Sequence, residues 1–145
     1  MVTRDVLIQT RNNSGKGNAF AHPSKPDYNN PIYAIFHHAE WARLKFETRD
    51  GIVSTHPNSQ HKFLRKEVSS KDALVTRIQV FVGEAINGFK FYSNDDVVLE
   101  AGLFKNEMKE VKLEKGERLV GVRSRLDDDT LDGNSRHCNM ELVIG

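Results

Sequence analysis

The most regular pattern in the chain lies between Val75 and Gly121. Ile78, Val80 and Val82 alternate with residues of the opposite face, Phe89 and Phe91 flank Lys90, and Val111 and Leu113 flank Lys112. A period of two marks a strand with one face in a core and the other in water. The runs break at Gly83-Glu84, Asn94-Asp95-Asp96 and Lys115-Gly116. These residue types favour turns, through positive φ or short side-chain bonds to the backbone. The segment predicts an antiparallel meander with Ile78, Val80, Phe91, Val111 and Leu113 buried, Phe89 on the same face as Phe91, and Tyr92 opposite.

An upstream segment repeats part of this pattern. Leu44-Lys-Phe-Glu-Thr-Arg-Asp-Gly-Ile-Val53 aligns with Phe89-Lys-Phe-Tyr-Ser-Asn-Asp-Asp-Val-Val98 at an offset of 45 residues. Both read as strand, polar turn, strand, and the spacing suits a repeated unit of three or four strands. The stretch from Ile32 to Phe46 has two readings. Ile32, Ile35, Phe36, Ala39 and Phe46 fit one face of a helix opened by Asn30-Pro31. The alternative is two strands, which the echo favours, followed by a hairpin turn at Asp50-Gly51. His56–Gln60 and Lys66–Asp72 read as loops, Asp127–Ser135 as a long acidic loop, and Met140–Ile144 as a closing strand.

Residues 1–30 read differently. Val6-Leu7-Ile8 suits one short strand, but Arg11–Asn18 and His22–Asp27 have loop composition. The expectation is an N-terminal arm, mobile or lying along the edge of a β domain at 31–145, whose removal leaves that domain folded. Gly15-Lys16-Gly17 lacks the further glycine and the Lys-Ser/Thr pair of a phosphate loop.

A length of 145 residues suits one domain with a real core. Lys and Arg number 21 against 20 Asp and Glu, so no basic field suits nucleic acid. No apolar run is long enough to span a bilayer, and Met1-Val-Thr-Arg-Asp lacks the apolar stretch of a secretory signal. Cys138 is the single cysteine and has no internal partner, which favours a reducing, cytoplasmic setting. Asn12-Asn13-Ser14 matches a glycosylation acceptor, but without a secretory route it means little.

Candidate chemistry is sparse. Six histidines are present, but His37-His38, His56, His61 and His137 have no zinc-type spacing, and they are expected at or near the surface. Asp128, Thr130, Asp132 and Gly133 occupy places one, three, five and six of a calcium loop, but place twelve is Asn139. The expectation is a solvated turn in which Asp127, Asp128, Asp129 and Asp132 bind no ion tightly. No nucleophile stands in a Gly-x-Ser-x-Gly elbow. Neither an enzyme, a cofactor nor a metal site is predicted.

Ile78–Tyr92 followed by Leu113–Val122 resembles jacalin-related lectin domains. Ile86, Gly88, Phe91, Gly102, Leu113, Glu117, Leu119 and Gly121 match their recurring pattern, and Arg136–Ile144 resembles a late strand of the same domain. The chain is also similar to divergent modules of this kind in proteins of ciliated protists. The resemblance implies an all-β, β-prism fold, with three four-stranded sheets, and metal-free binding of mannose or galactose. The family's sugar loop, Gly-x-x-x-Asp near the C-terminus, is missing: Gly121 leads to Arg125 and Gly133 to His137. The primary functional reading is therefore a non-enzymatic interaction module, a protein-binding or structural subunit of a larger assembly, with no nucleic-acid or membrane partner. The alternative is a carbohydrate-binding lectin. For that, Trp41, Tyr92 and Tyr33 are stacking platforms, and the candidate ligand-binding residues are Trp41, Tyr92, Asp128 and Asp132.

Overall fold

The computed structural model describes residues 1–11, 17, 19–38, 43–49, 63–69, 73–127 and 136–145. The described residues contain eleven strands and no helix: β1 (Arg4–Ile8), β2 (Ala19–His22), β3 (Ile32–His38), β4 (Leu44–Thr48), β5 (Phe63–Glu67), β6 (Arg77–Val82), β7 (Ile86–Ser93), β8 (Asp96–Gly102), β9 (Glu107–Lys112), β10 (Leu119–Leu126) and β11 (His137–Ile144). They form three antiparallel sheets, in the orders β1-β11-β10-β2, β4-β3-β5 and β8-β7-β6-β9. The inward faces meet in one core, the arrangement of a β-prism.

The same register recurs in all three sheets. Ile78 on β6 lies between Phe91 on β7 and Val111 on β9. Ile35 on β3 lies between Phe46 and Lys66, and Val122 on β10 lies between Leu142 and His22. Beyond Phe91 stands Leu99, and beyond Leu142 stands Val6. The six residues Ile35, Phe46, Ile78, Phe91, Val122 and Leu142 are at most 1% exposed. Burying each side chain stabilises the fold by about 1.5–3 kcal/mol. Phe46 and Phe91 thus hold equivalent places in two sheets, which is the physical content of the Lys-Phe echo. In the stretch from Ile32 to Phe46, the described residues Ile32–His38 and 44–46 are strands and not a helix, because they pair with each other across a ladder in this register. The turn at Asp50-Gly51 lies outside the described residues.

Three expectations need correction. Leu113 lies just past the end of β9 and is only partly buried against the core. Lys66 and Glu67 are not loop but the end of β5, whose exposed residues conceal its pairing with β3. Most consequentially, the described residues of 1–30 do not form an arm. β1 pairs with β11 from Arg4↔Ile144 to Ile8↔Met140, and β2 pairs with β10 from Ala19↔Arg125 to His22↔Val122. Ile8 and Phe20 belong to the core cluster. The Tyr28 hydroxyl donates to the Gly116 carbonyl at 2.6 Å, and Arg118 Nη1 donates to the Tyr28 carbonyl at 3.0 Å. These bonds tie residues 23–30 to the β9–β10 connection.

One glycine pair explains part of the motif. Gly88 and Gly102 face each other across β7 and β8. Gly102 has φ +94°, and a Cβ there would stand 2.3 Å from the Asn87 carbonyl oxygen. Gly116 also has positive φ, +85°, but a Cβ there meets open space. Each alanine incurs roughly 1–3 kcal/mol for the left-handed backbone. Only Gly102→Ala adds a backbone collision. Gly102→Ala is therefore expected to melt well below Gly116→Ala, and equal thermal midpoints would refute the steric account.

Candidate functional site

Three connections meet at one end of the prism. After β1, the Arg11 amide donates to the Gly83 carbonyl in the β6–β7 turn at 2.9 Å. Further along, the Gly17 amide donates to the Leu126 carbonyl at the end of β10, also at 2.9 Å, and Arg125 Nη1 donates to the Gly17 carbonyl at 3.2 Å. The base of the β10–β11 connection is closed by Asp127 and Arg136. The Arg136 backbone amide donates to Asp127 Oδ1 and its Nε to Oδ2, both at 2.8 Å.

β11 is shaped to receive this junction. Arg123 pairs with Glu141 but Arg125 with Cys138, so β11 carries a bulge. Asn139 sits there at φ +48°, a conformation Asn tolerates better than most residues. Its Oδ1 accepts from the Thr10 amide at 2.9 Å and its own amide donates to Thr10 Oγ1 at 3.2 Å. This holds the Gln9–Arg11 segment against the sheet.

Beside this junction runs a groove of about 510 Å³, lined by Gln9, Thr10, Arg11, Gly83, Glu107 and Lys109 with Leu7 and Val82. The volume falls in the range of small-molecule sites. The Arg11 and Glu84 side chains are both more than half exposed and lie 3.9 Å apart. Glu107 and Lys109 pair at 2.9 Å. Amide, guanidinium, ammonium and carboxylate groups together offer both donors and acceptors. Such a surface suits a neutral polyhydroxylated ligand better than a strongly charged one.

The predicted site residues do not assemble as a set. Trp41, Asp128 and Asp132 lie outside the described residues, as do Asp129, His56 and His61. Tyr92 lies near the other end of β7, roughly 20 Å from the Gly83 turn at about 3.3 Å per residue. Its ring is covered by the Arg77 guanidinium at 3.9 Å and its hydroxyl donates to Gln79 at 3.1 Å. Tyr33 is likewise occupied, with Arg65 Nη2 donating to its hydroxyl at 3.0 Å. Arg11, Gly83, Glu107 and Lys109 were missed because they come from three separate elements and share no local motif.

The histidine expectation also needs correction. His137 is fully buried, with the Phe20 and Phe46 rings at 4.7 and 5.6 Å. A carbonyl only accepts, so the 3.0 Å contact with the Leu44 carbonyl places the proton on Nε2. Nδ1 then accepts from the Ser124 hydroxyl at 2.7 Å. Burial pushes the pKa down to about 4, against a smaller upward pull from the Leu44 carbonyl. Cys138, next in the chain, is buried as well, and burial pushes its thiol pKa up. Among the described residues, no three His, Cys, Asp or Glu side chains gather as metal ligands.

The His137 shift has a defined pH consequence. The unfolded chain takes up this proton near pH 6.5 and the folded chain only near 4. The contribution is complete above 6.5 and is lost as pH falls through that window, because the unfolded state then binds more protons. The loss should reach about 3 kcal/mol by pH 4. Urea unfolding at several pH values should show a shallower decline for His137→Gln than for the parent. Parallel declines would refute this assignment.

No family model and no curated protein sequence matches the chain. The similarity is one of structure. Frutalin from Artocarpus incisa superposes with a TM-score of 0.64 at 10% identity, over 100% of this chain and 97% of that one. A mannose-specific jacalin-related lectin from Morus nigra, solved in complex with mannose, gives 0.61 at 13% identity over 97% and 94%. The Calystegia sepium agglutinin gives 0.59 at 14% identity over 100% and 99%. In its fold, the chain is a divergent jacalin-like β-prism.

Proposed function

We propose that the chain is a non-enzymatic carbohydrate-binding domain whose site is the junction of the β1–β2, β6–β7 and β10–β11 connections. The observation that carries this reading is the polar groove at that junction, bounded by Gln9–Arg11, Gly83, Glu107 and Lys109. Its mixed donors and acceptors match the needs of sugar hydroxyls. Support also comes from the neighbours of the same fold, one of which is mannose-specific. The missing Gly-x-x-x-Asp loop does not empty this end of polar groups. Asp128 and Asp132 lie in the sequence between Asp127 and Arg136, and they are proposed to add carboxylates to the same site.

A glycan array followed by titration with mannose and galactose tests the proposal. Binding is expected, and Arg11→Ala or Glu107→Ala should weaken it at least tenfold. Tyr92→Ala should bind like the parent, since Tyr92 stands at the other end. Retention of no glycan, or binding indifferent to both groove variants, would reject the reading.

A second reading is a protein-binding or structural module. It no longer has a free arm in its favour. It has instead the outer face of the β8-β7-β6-β9 sheet and its edge, where Val97, Phe104 and Met108 are each more than 40% exposed. Absence of glycan binding combined with concentration-dependent association, abolished by Met108→Glu, would select it.

A further inference from the structure

We infer that the opposite end of the prism holds a second ligand site, which takes a small aromatic carboxylate in a cavity with an apolar floor and an arginine-bearing mouth. The cavity measures about 250 Å³. Its floor is made by Ile32, Phe91 and Leu119, one residue from each sheet, exposed by only 4%, 1% and 4%. Its mouth carries Arg49, Glu117 and Arg118. The carbohydrate reading is not needed for this site, which lies at the other end of the strands.

Size sets the first limit on the occupant. An apolar cavity of about 150 Å³ accepts benzene, so this one suits a fused ring or a ring with a short substituent. Chemistry sets the second. A sugar pressed onto Ile32, Phe91 and Leu119 would lose water from its hydroxyls without regaining hydrogen bonds, which costs free energy. An aromatic face loses nothing comparable there.

Charge sets the third limit. The Glu117 carboxylate is already held by Arg4, through Nε at 2.9 Å and Nη2 at 3.0 Å, and it accepts from the Glu114 amide at 2.6 Å. Arg4 therefore balances its charge. Arg118 donates through Nη1 to a neutral group, the Tyr28 carbonyl, and stacks on the Tyr28 ring at 5.2 Å. Arg49 lies over the Tyr33 ring at 5.8 Å. The carbonyl and ring of Tyr28 hold the Arg118 guanidinium without neutralising it. Arg118 thus brings an unbalanced charge to the mouth, and a guanidinium matches a carboxylate with two parallel donors.

The probe is 2-naphthoate, with 2-naphthalenemethanol as its neutral counterpart, titrated into the full chain by calorimetry. Naphthoate should bind at one saturable site, at least tenfold more tightly than the alcohol. Arg118→Gln should remove most of that preference and leave alcohol binding unchanged. Ala73→Phe, which fills the cavity wall, should abolish both while circular dichroism remains that of the parent. If that variant does not fold, the Arg118→Gln comparison still decides. No saturable naphthoate binding, equal affinity for both probes, or naphthoate affinity untouched by Arg118→Gln would each overturn the proposal.

Discussion

A chain shortened by residues 1–30 should fail to fold. The deletion removes β1 and β2, the two flanking strands of the sheet in which β11 and β10 are central. Both central strands would then present unpaired backbone groups along their outer edges, a template for aggregation. Ile8 and Phe20 would leave the core, each a loss of about 1.5–3 kcal/mol in burial alone. The Thr10–Asn139 and Tyr28–Gly116 contacts would go too. Domains of this size are stable by only about 5–15 kcal/mol in total. The truncated chain should therefore show neither a cooperative melt nor the β-sheet circular dichroism of the parent. A soluble fragment with a cooperative transition would restore the removable arm.

The second large effect concerns two apolar residues that the sequence pattern treats alike. Phe91 is 1% exposed, its ring edge-on to Phe89 with centroids 6.3 Å apart. Phe91→Ala should cost about 3–5 kcal/mol, from lost transfer energy plus a cavity the three sheets cannot close. Leu113 stands past the end of β9 and only packs against the core from outside. Leu113→Ala should cost less than half as much, because solvent enters the space left behind. Denaturant midpoints of the two variants check this. Similar losses would place Leu113 in the core after all.

The contrast shows where the pattern was legible. β6 announced itself by strict alternation and β7 by Phe89 and Phe91 about Lys90, and Gly83 and Asn94 mark the breaks that follow them. β2 did not, because Ala-Phe-Ala-His offers one large apolar residue in four. Its assignment comes from the partner strand β10 and not from its own composition. β5 was hidden in the same way by four exposed residues out of five. The fold was recognisable from Gly88, Gly102 and their neighbours, since a close backbone approach leaves a local trace. The groove left no such trace, and His137 least of all. Its partners Ser124 and Leu44 stand 13 and 93 positions away, so nothing near it in the chain signals burial. Tyr92 was the reverse case: it has the residue type of a sugar platform, but Arg77 already lies on its ring.

The β1–β11 pairing has a consequence for how the protein is made. Thr10 and Asn139, joined in the native fold, are 129 positions apart. At about 5–20 residues per second of translation, the first strand emerges on the order of ten seconds before its partner exists. The two sheets built from the middle of the chain are able to form during that interval. The β1-β11-β10-β2 sheet closes only once β11 has been made and has emerged, so β1 is the strand that waits longest unpaired, open to chaperone capture or proteolysis.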